Sequence, residues 1–258
     1  MNSHFWQSIF TSVFVAAAAA YLGSLMLTRR MTLVGDAMGH VALPGMGAAL
    51  LLGLDASIGA LFALAIATMV IWRIRENTRL SIETLVGVAF VTSLALGFLL
   101  VPHPELLESL VGDLSHVSSL ATVITILVST VVLFITRRIY AAMMLVNVSE
   151  ELALVEGFKP STYDLFYLTL ITVIVSLGVK VTGSLLVGAL LIVPAASARI
   201  IAWNMPSYTI LCVAIGAVSS MCGVALSFET GFPAGPAIIL VNAAIFIVTL
   251  VLRKYVIL

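Results

Sequence analysis

Asp36 and His40 stand four residues apart in the run Gly35-Asp36-Ala37-Met38-Gly39-His40-Val41-Ala42-Leu43-Pro44-Gly45. On a helix this spacing puts them on one face with Cβ atoms about 5–6 Å apart, within reach of one divalent ion. Zinc, manganese and ferrous iron all accept a carboxylate with an imidazole. Pro44 has no N–H to donate, so the His40 carbonyl loses its usual helical partner. Gly35 and Gly39 form a small-residue face that lets another helix approach closely and bring further ligands. In the bland alternative, Asp36 is an interfacial acid near Arg29 and Arg30, and His40 bonds a neighbouring helix. Ionisable groups inside an apolar span are costly enough to favour the metal-contact reading. Asp55, at a loop, is expected to be only solvated.

A second group of residues lies outside any apolar run, from Asn147 to Pro160, and reads as one short helix at about 149–160. Ser149 is a good N-cap, Glu150 and Glu151 suit the positive end of the helix dipole, and Gly157 followed by Pro160 supplies a stop. Leu152, Val155 and Phe158 recur at helical spacing and give it an apolar face that needs a partner surface. A bilayer-resting helix is the alternative, opposed mildly by the acids at 150, 151 and 156, since cytoplasmic leaflets are anionic.

Other polar residues are weaker candidates. His103, Glu105, Glu108, Asp113 and His116 fall in an outer loop at about 102–116 without a ligand spacing, so that loop is expected to be solvated or to dock a partner. Ser81 and Glu83 read as an N-cap with a first-turn acid. Pro194 is expected to kink its helix and free the Leu190 carbonyl.

The elements that must position these groups are set by composition. The chain has 258 residues, 62% of them hydrophobic and 9% charged, with a mean hydropathy of +1.21, far from the usage of soluble domains. A membrane-spanning helix needs about 20 mostly apolar residues. Such stretches fall at approximately 5–27, 31–53, 56–74, 82–101, 117–136, 163–180, 184–203, 207–227 and 235–252. The expected fold is all-α: a polytopic transmembrane bundle of about nine segments, eight being the alternative, in one domain spanning 1–258. Segment 31–53 is the least hydrophobic and holds five glycines, so a broken or re-entrant element is open there.

With alternating crossings, Arg29, Arg30, Arg73, Arg75, Arg79, Arg137, Arg138, Lys159, Arg199, Arg253 and Lys254 share one face and Lys180 lies on the other. The positive-inside rule makes the first face cytoplasmic, with the N-terminus outside and the C-terminus inside. Cys212 and Cys222, ten residues apart on one helix, stand roughly 15 Å apart by rise, too far for a disulfide. The first residues lack the basic region of a cleavable signal.

Taken in order, these motifs resemble the membrane permeases of metal-ion ABC importers, the ZnuB-like zinc permeases with their manganese and iron relatives. The likeness covers essentially the whole chain. It is carried by the 35–45 motif, by Gly112-Asp113-Leu114, by Ser149 to Gly157, by the run from Gly188 through Pro194 to Ala198, and by Pro233-Ala-Gly-Pro236. It implies a type II ABC-importer-like permease that is homodimeric, with two cytoplasmic ATPase subunits and an extracytoplasmic metal-binding protein, in a prokaryotic cytoplasmic membrane. The cargo implied is zinc, with manganese or iron as alternatives. No permanently bound cofactor and no nucleic-acid partner is expected.

By the same resemblance Asp36 and His40 contact the metal, and Ser149, Glu150, Glu151, Leu152, Ala153 and Gly157 form the element that couples to the ATPase. Ala153 and Gly157 match small residues that let the ATPase surface approach. The chain is then not an enzyme. It has no Gly-x4-Gly-Lys-Ser/Thr phosphate loop, so ATP hydrolysis belongs to another polypeptide. A secondary ion-coupled metal transporter is the alternative of another class; a membrane enzyme has no nucleophile–base pair to support it.

Overall fold

The computed structural model describes residues 3–78, 80–100, 112, 114 and 118–256, and within these the side chains from 4 to 253. Every regular element among them is an α-helix, as an apolar chain requires when no water is available to satisfy its backbone. In chain order they are α1 (Ser3–Thr28), α2 (Thr32–Val41), α3 (Leu43–Leu51), α4 (Ala56–Asn77), α5 (Ile82–Leu100), α6 (Ser119–Val148), α7 (Glu150–Val155), α8 (Pro160–Thr182), α9 (Val187–Ile201), α10 (Met205–Thr230) and α11 (Ala234–Val256).

Seven helices are long and apolar enough to cross a membrane: α1, α4, α5, α6, α8, α10 and α11. The other two expected crossings look different. Segment 31–53 is divided at Ala42 into α2 and α3, where the missing Pro44 amide breaks the ladder. Ala42 itself keeps helical dihedrals, φ −70° and ψ −25°, so the chain does not turn back there. Segment 184–203 yields only the 15-residue α9, because Gly183, at φ +80°, ends α8 and helix resumes only at Val187.

α1 lies at the centre of the bundle, packed against α6, α8, α9 and α10. Its run Ala16 to Ala20 is buried, and small side chains there let α10 come close: a Cβ added at Gly216 would sit 2.8 Å from the Ala16 carbonyl oxygen. The Tyr167 hydroxyl, fully buried on α8, donates to the Leu22 carbonyl at 3.0 Å.

α4 and α8 run antiparallel and are fastened at three levels. Trp72 Nε1 donates to Ser161 Oγ at 3.0 Å, the Thr68 and Thr172 hydroxyls meet at 2.7 Å, and Lys180 Nζ stands 3.1 Å from Asp55 Oδ2 at the opposite end. Asp55 therefore departs from its expectation as a merely solvated loop acid. It caps α4 by accepting from the Ser57 amide and pairs with Lys180. Cys212 and Cys222 are both free thiols.

Candidate metal path and coupling surface

α2 presents two candidate ligands and is held by close backbone packing. It lies between α5 and α9. A Cβ at Gly39 would stand 2.5 Å from the Ser184 carbonyl oxygen, and one at Gly188 would stand 2.5 Å from Asp36 Cα. Gly35 faces the Met26 sulfur. Asp36 is thus fixed through its backbone while its side chain is exposed.

His40 is half-buried one turn further on, its ring 5.2 Å from that of Phe90, and its Nδ1 is buried without a hydrogen-bond partner. An unpartnered buried imidazole nitrogen is costly unless something else satisfies it. The His40 carbonyl, expected to be free, is instead approached by the Ala42 amide. Among the described residues no group of three or more His, Cys, Asp or Glu side chains converges, so α2 offers two ligands and not a closed site. Pro194 lies within an unbroken α9, in its buried half.

α7 is shorter than the 149–160 range expected of it. It spans Glu150–Val155, and Pro160 already opens α8. Ser149 is its N-cap, its hydroxyl accepting from the Leu152 amide at 3.1 Å. The stop is a Schellman pair: Phe158 N–H bonds the Ala153 carbonyl, Gly157 N–H bonds the Leu154 carbonyl, and Gly157 takes φ +84°. Leu152, Leu154 and Val155 are exposed, and Gly157 faces open space. Ala153 corrects the expectation that it lies at a partner contact: it is fully buried against its own chain, because this is the side on which the six-residue helix rests on the bundle. Glu150 points back to α4, its Oε1 3.5 Å from Arg75 Nη2, while Glu151 is exposed.

The sequence reading missed the most buried charge among the described residues. Asp164, on the second turn of α8, is fully buried. Arg29 Nη1 stands 2.6 Å from its Oδ1, and Arg75 Nη1 pairs with its Oδ2. Arg29 therefore serves Asp164 and not Asp36. Burial holds the Arg29 guanidinium below its ordinary value, offset in part by Tyr167 and Glu150. The available signal was the one used for Asp36, an acid inside an apolar helix.

Elsewhere Ser81 caps α5, accepting from the Thr84 amide at 3.1 Å, with Glu83 exposed in the first turn. His103, Glu105, Glu108, Asp113 and His116 lie outside the described residues.

Comparison with known proteins places this geometry in context. The model of the ABC 3 transport family matches residues 1–253. The manganese import system permease protein ScaB of Streptococcus gordonii is 30% identical over 251 residues, covering 95% of this chain and 90% of that protein. Two relatives at 28% identity are the chelated iron transport system membrane protein YfeC of Yersinia pestis, with 93% and 83% covered, and the high-affinity zinc uptake system membrane protein ZnuB of Buchnera aphidicola, with 92% and 93% covered. Among solved structures, PsaBC from Streptococcus pneumoniae in complex with Fab superposes with a TM-score of 0.83 at 27% identity, covering 96% of this chain and 91% of that one.

Proposed function

Because this chain belongs to the ABC 3 transport family, whose members here are permeases and not enzymes, we propose that it is the membrane subunit of an ATP-driven importer of a divalent transition metal, zinc. The observation that carries the reading is α2 itself. Asp36 is exposed on it, and one turn along His40 holds a buried Nδ1 with no partner. These are the two groups proposed to contact the cargo in transit. Because no third ligand converges on them among the described residues, a second copy of the permease, facing the first across α2, is the proposed source of the rest. This is the homodimer that the family resemblance implies.

Two ATPase subunits are proposed to dock on α7 through exposed Leu152, Val155 and Gly157, with Ser149 and the acids 150 and 151 fixing the helix and Ala153 seating it. An extracytoplasmic binding protein delivers the ion. Counting α2 with α3 as one crossing and α9 as another gives nine, with the N-terminus outside and the C-terminus in the cytoplasm, in a prokaryotic cytoplasmic membrane. ATP binding would then drive alternating access. The coupling helices shift with the ATPases, and the bundles change the side to which the metal path opens.

Zinc is preferred on the overall likeness of the sequence motifs, since a carboxylate with an imidazole accepts zinc, manganese and ferrous iron alike. Manganese is the second reading, favoured by the ScaB likeness at 30% identity. Competition between zinc and manganese for uptake by the complete importer in proteoliposomes decides between them. Zinc uptake unaffected by a large excess of manganese supports the first, and the reverse supports the second. Uptake by the permease alone, driven by an ion gradient without ATP, would overturn the importer reading.

A further inference from the structure

Asp164 plays no part in the cargo pair or in the outer face of α7, yet it is a fully buried carboxylate among the described residues. It draws together three separate elements. Arg29 follows α1 and precedes α2 by three residues, Arg75 closes α4, and Asp164 itself sits in the first turns of α8. One buried carboxylate faces two guanidiniums, Arg29 with a side chain 9% exposed and Arg75 21% exposed, and so leaves an excess positive charge. The balancing charge is Glu150, the first residue of α7, with a side chain 61% exposed and reaching Arg75 at only 3.5 Å. The charge around Arg29 and Arg75 therefore depends in part on where α7 holds Glu150.

Two further features make this arrangement responsive. A cavity of about 980 Å³ opens beside it, lined among others by Arg29, Arg30, Arg75, Glu83 and Glu150, and leaves space for α7 to move against the α1–α2 elbow. The elbow is held, not slack. Arg30 takes φ +58°, a region non-glycine residues rarely adopt, and the Met31 amide bonds the Met26 carbonyl at 3.0 Å. α2 begins at Thr32, and Asp36 follows four residues later.

We propose that Asp164 is a positioning residue that transmits displacement of α7 to α2, tying the foot of α8 to α4 and to the elbow that carries the cargo pair, with Glu150 adding or withdrawing the fourth charge as α7 moves. The route is continuous. α7 leads into α8 through four residues, 156–159, α8 is bonded to α4 through Trp72, Ser161 and Glu76, and Arg29 fixes the elbow to Asp164. This inference rests on the reading of α7 as the ATPase contact.

The test uses the complete importer, permease with its ATPase and metal-loaded binding protein, in proteoliposomes with zinc or manganese as the probe. Asp164→Asn is expected to retain the ATPase and its hydrolysis without binding protein, while metal imported per ATP falls by about tenfold or more. Asp164→Glu, which restores the carboxylate, is expected to recover most of it. The combined variant Arg29→Met, Arg75→Met and Asp164→Leu removes all three charges of the ion-pair cluster at similar volume, so it should assemble and yet be uncoupled. Import per ATP within about twofold of the parent in Asp164→Asn or in the combined variant overturns the proposal. Failure of both to assemble makes the cluster a folding clamp and overturns it equally. Gly157→Trp, run in parallel, separates the two readings. If it blocks uptake while the Asp164 variants do not, only the transmission role falls; if it imports normally, the docking role of α7 falls.

Discussion

A carboxylate and an imidazole one helical turn apart become ligands only if their backbone is held still, and here the holding is done by glycines. Gly188 has no room for a side chain, since a Cβ would press on Asp36 Cα at 2.5 Å. Gly188→Ala is therefore expected to force α9 away from α2, cost about 1–3 kcal/mol, and lower uptake together with stability. Thermal unfolding in detergent and transport by the same sample check this. At the opposite end, partial burial alone would raise the Asp55 carboxyl, but the Ser57 amide and the Lys180 ammonium together hold it below the usual value. Its stabilising contribution is then present above the unfolded pKa of about 3.9 and lost as pH falls through the folded one. Both side chains are substantially exposed, so Asp55→Asn is expected to cost no more than about 1 kcal/mol at neutral pH and to flatten the acid limb of the stability profile. A melting series across pH measures it.

At the scale of elements, hydropathy and punctuation located seven long helices, but the stretch 117–136 ended too early: its helix runs on through Arg137 and Arg138 to Val148, because helical geometry continues past the apolar span. The stretch 31–53 was legible as unusual from its glycines and Pro44, and it divides at Ala42. The stretch 184–203 was read as beginning too early, since nothing in its hydropathy marks the positive φ of Gly183. α7 was legible through its cap and its glycine stop, but not through its facing. Ala153 looked available for a partner and is instead buried, a matter of tertiary packing that spacing cannot reveal. Ser149→Ala is expected to destabilise α7 by about 1 kcal/mol, seen as faster hydrogen exchange at the Leu152 amide, which the Ser149 hydroxyl now satisfies. Gly157→Trp is expected to leave insertion intact and block ATP-linked uptake; normal uptake would remove the docking role.

For the whole molecule, the sequence showed the class of fold because so apolar a chain has few alternatives in a bilayer. It did not show the Arg29–Asp164–Arg75 cluster. Residues 29, 75 and 164 are distant in the chain, each reads alone as an ordinary interfacial charge, and only the packing of α1, α4 and α8 brings them together. The juxtaposition of Asp36 and His40 was legible because both lie on one helical turn, and among the described residues no third His, Cys, Asp or Glu converges on them. The proposed orientation predicts a labelling pattern. In a variant with Cys212 and Cys222 replaced, Ser3→Cys should react with an impermeant maleimide in intact cells, and Glu151→Cys only after permeabilisation. The opposite pattern would invert the topology.

The most direct test of the cargo site is metal uptake by the reconstituted importer carrying Asp36→Ala or His40→Ala, with ATP hydrolysis recorded in the same vesicles. Each substitution is predicted to abolish uptake while the ATPase stays bound and active, since Asp36 is exposed, His40 Nδ1 has no partner in the fold, and both are proposed to act through the cargo. Metal uptake at the parental rate by both variants would contradict it.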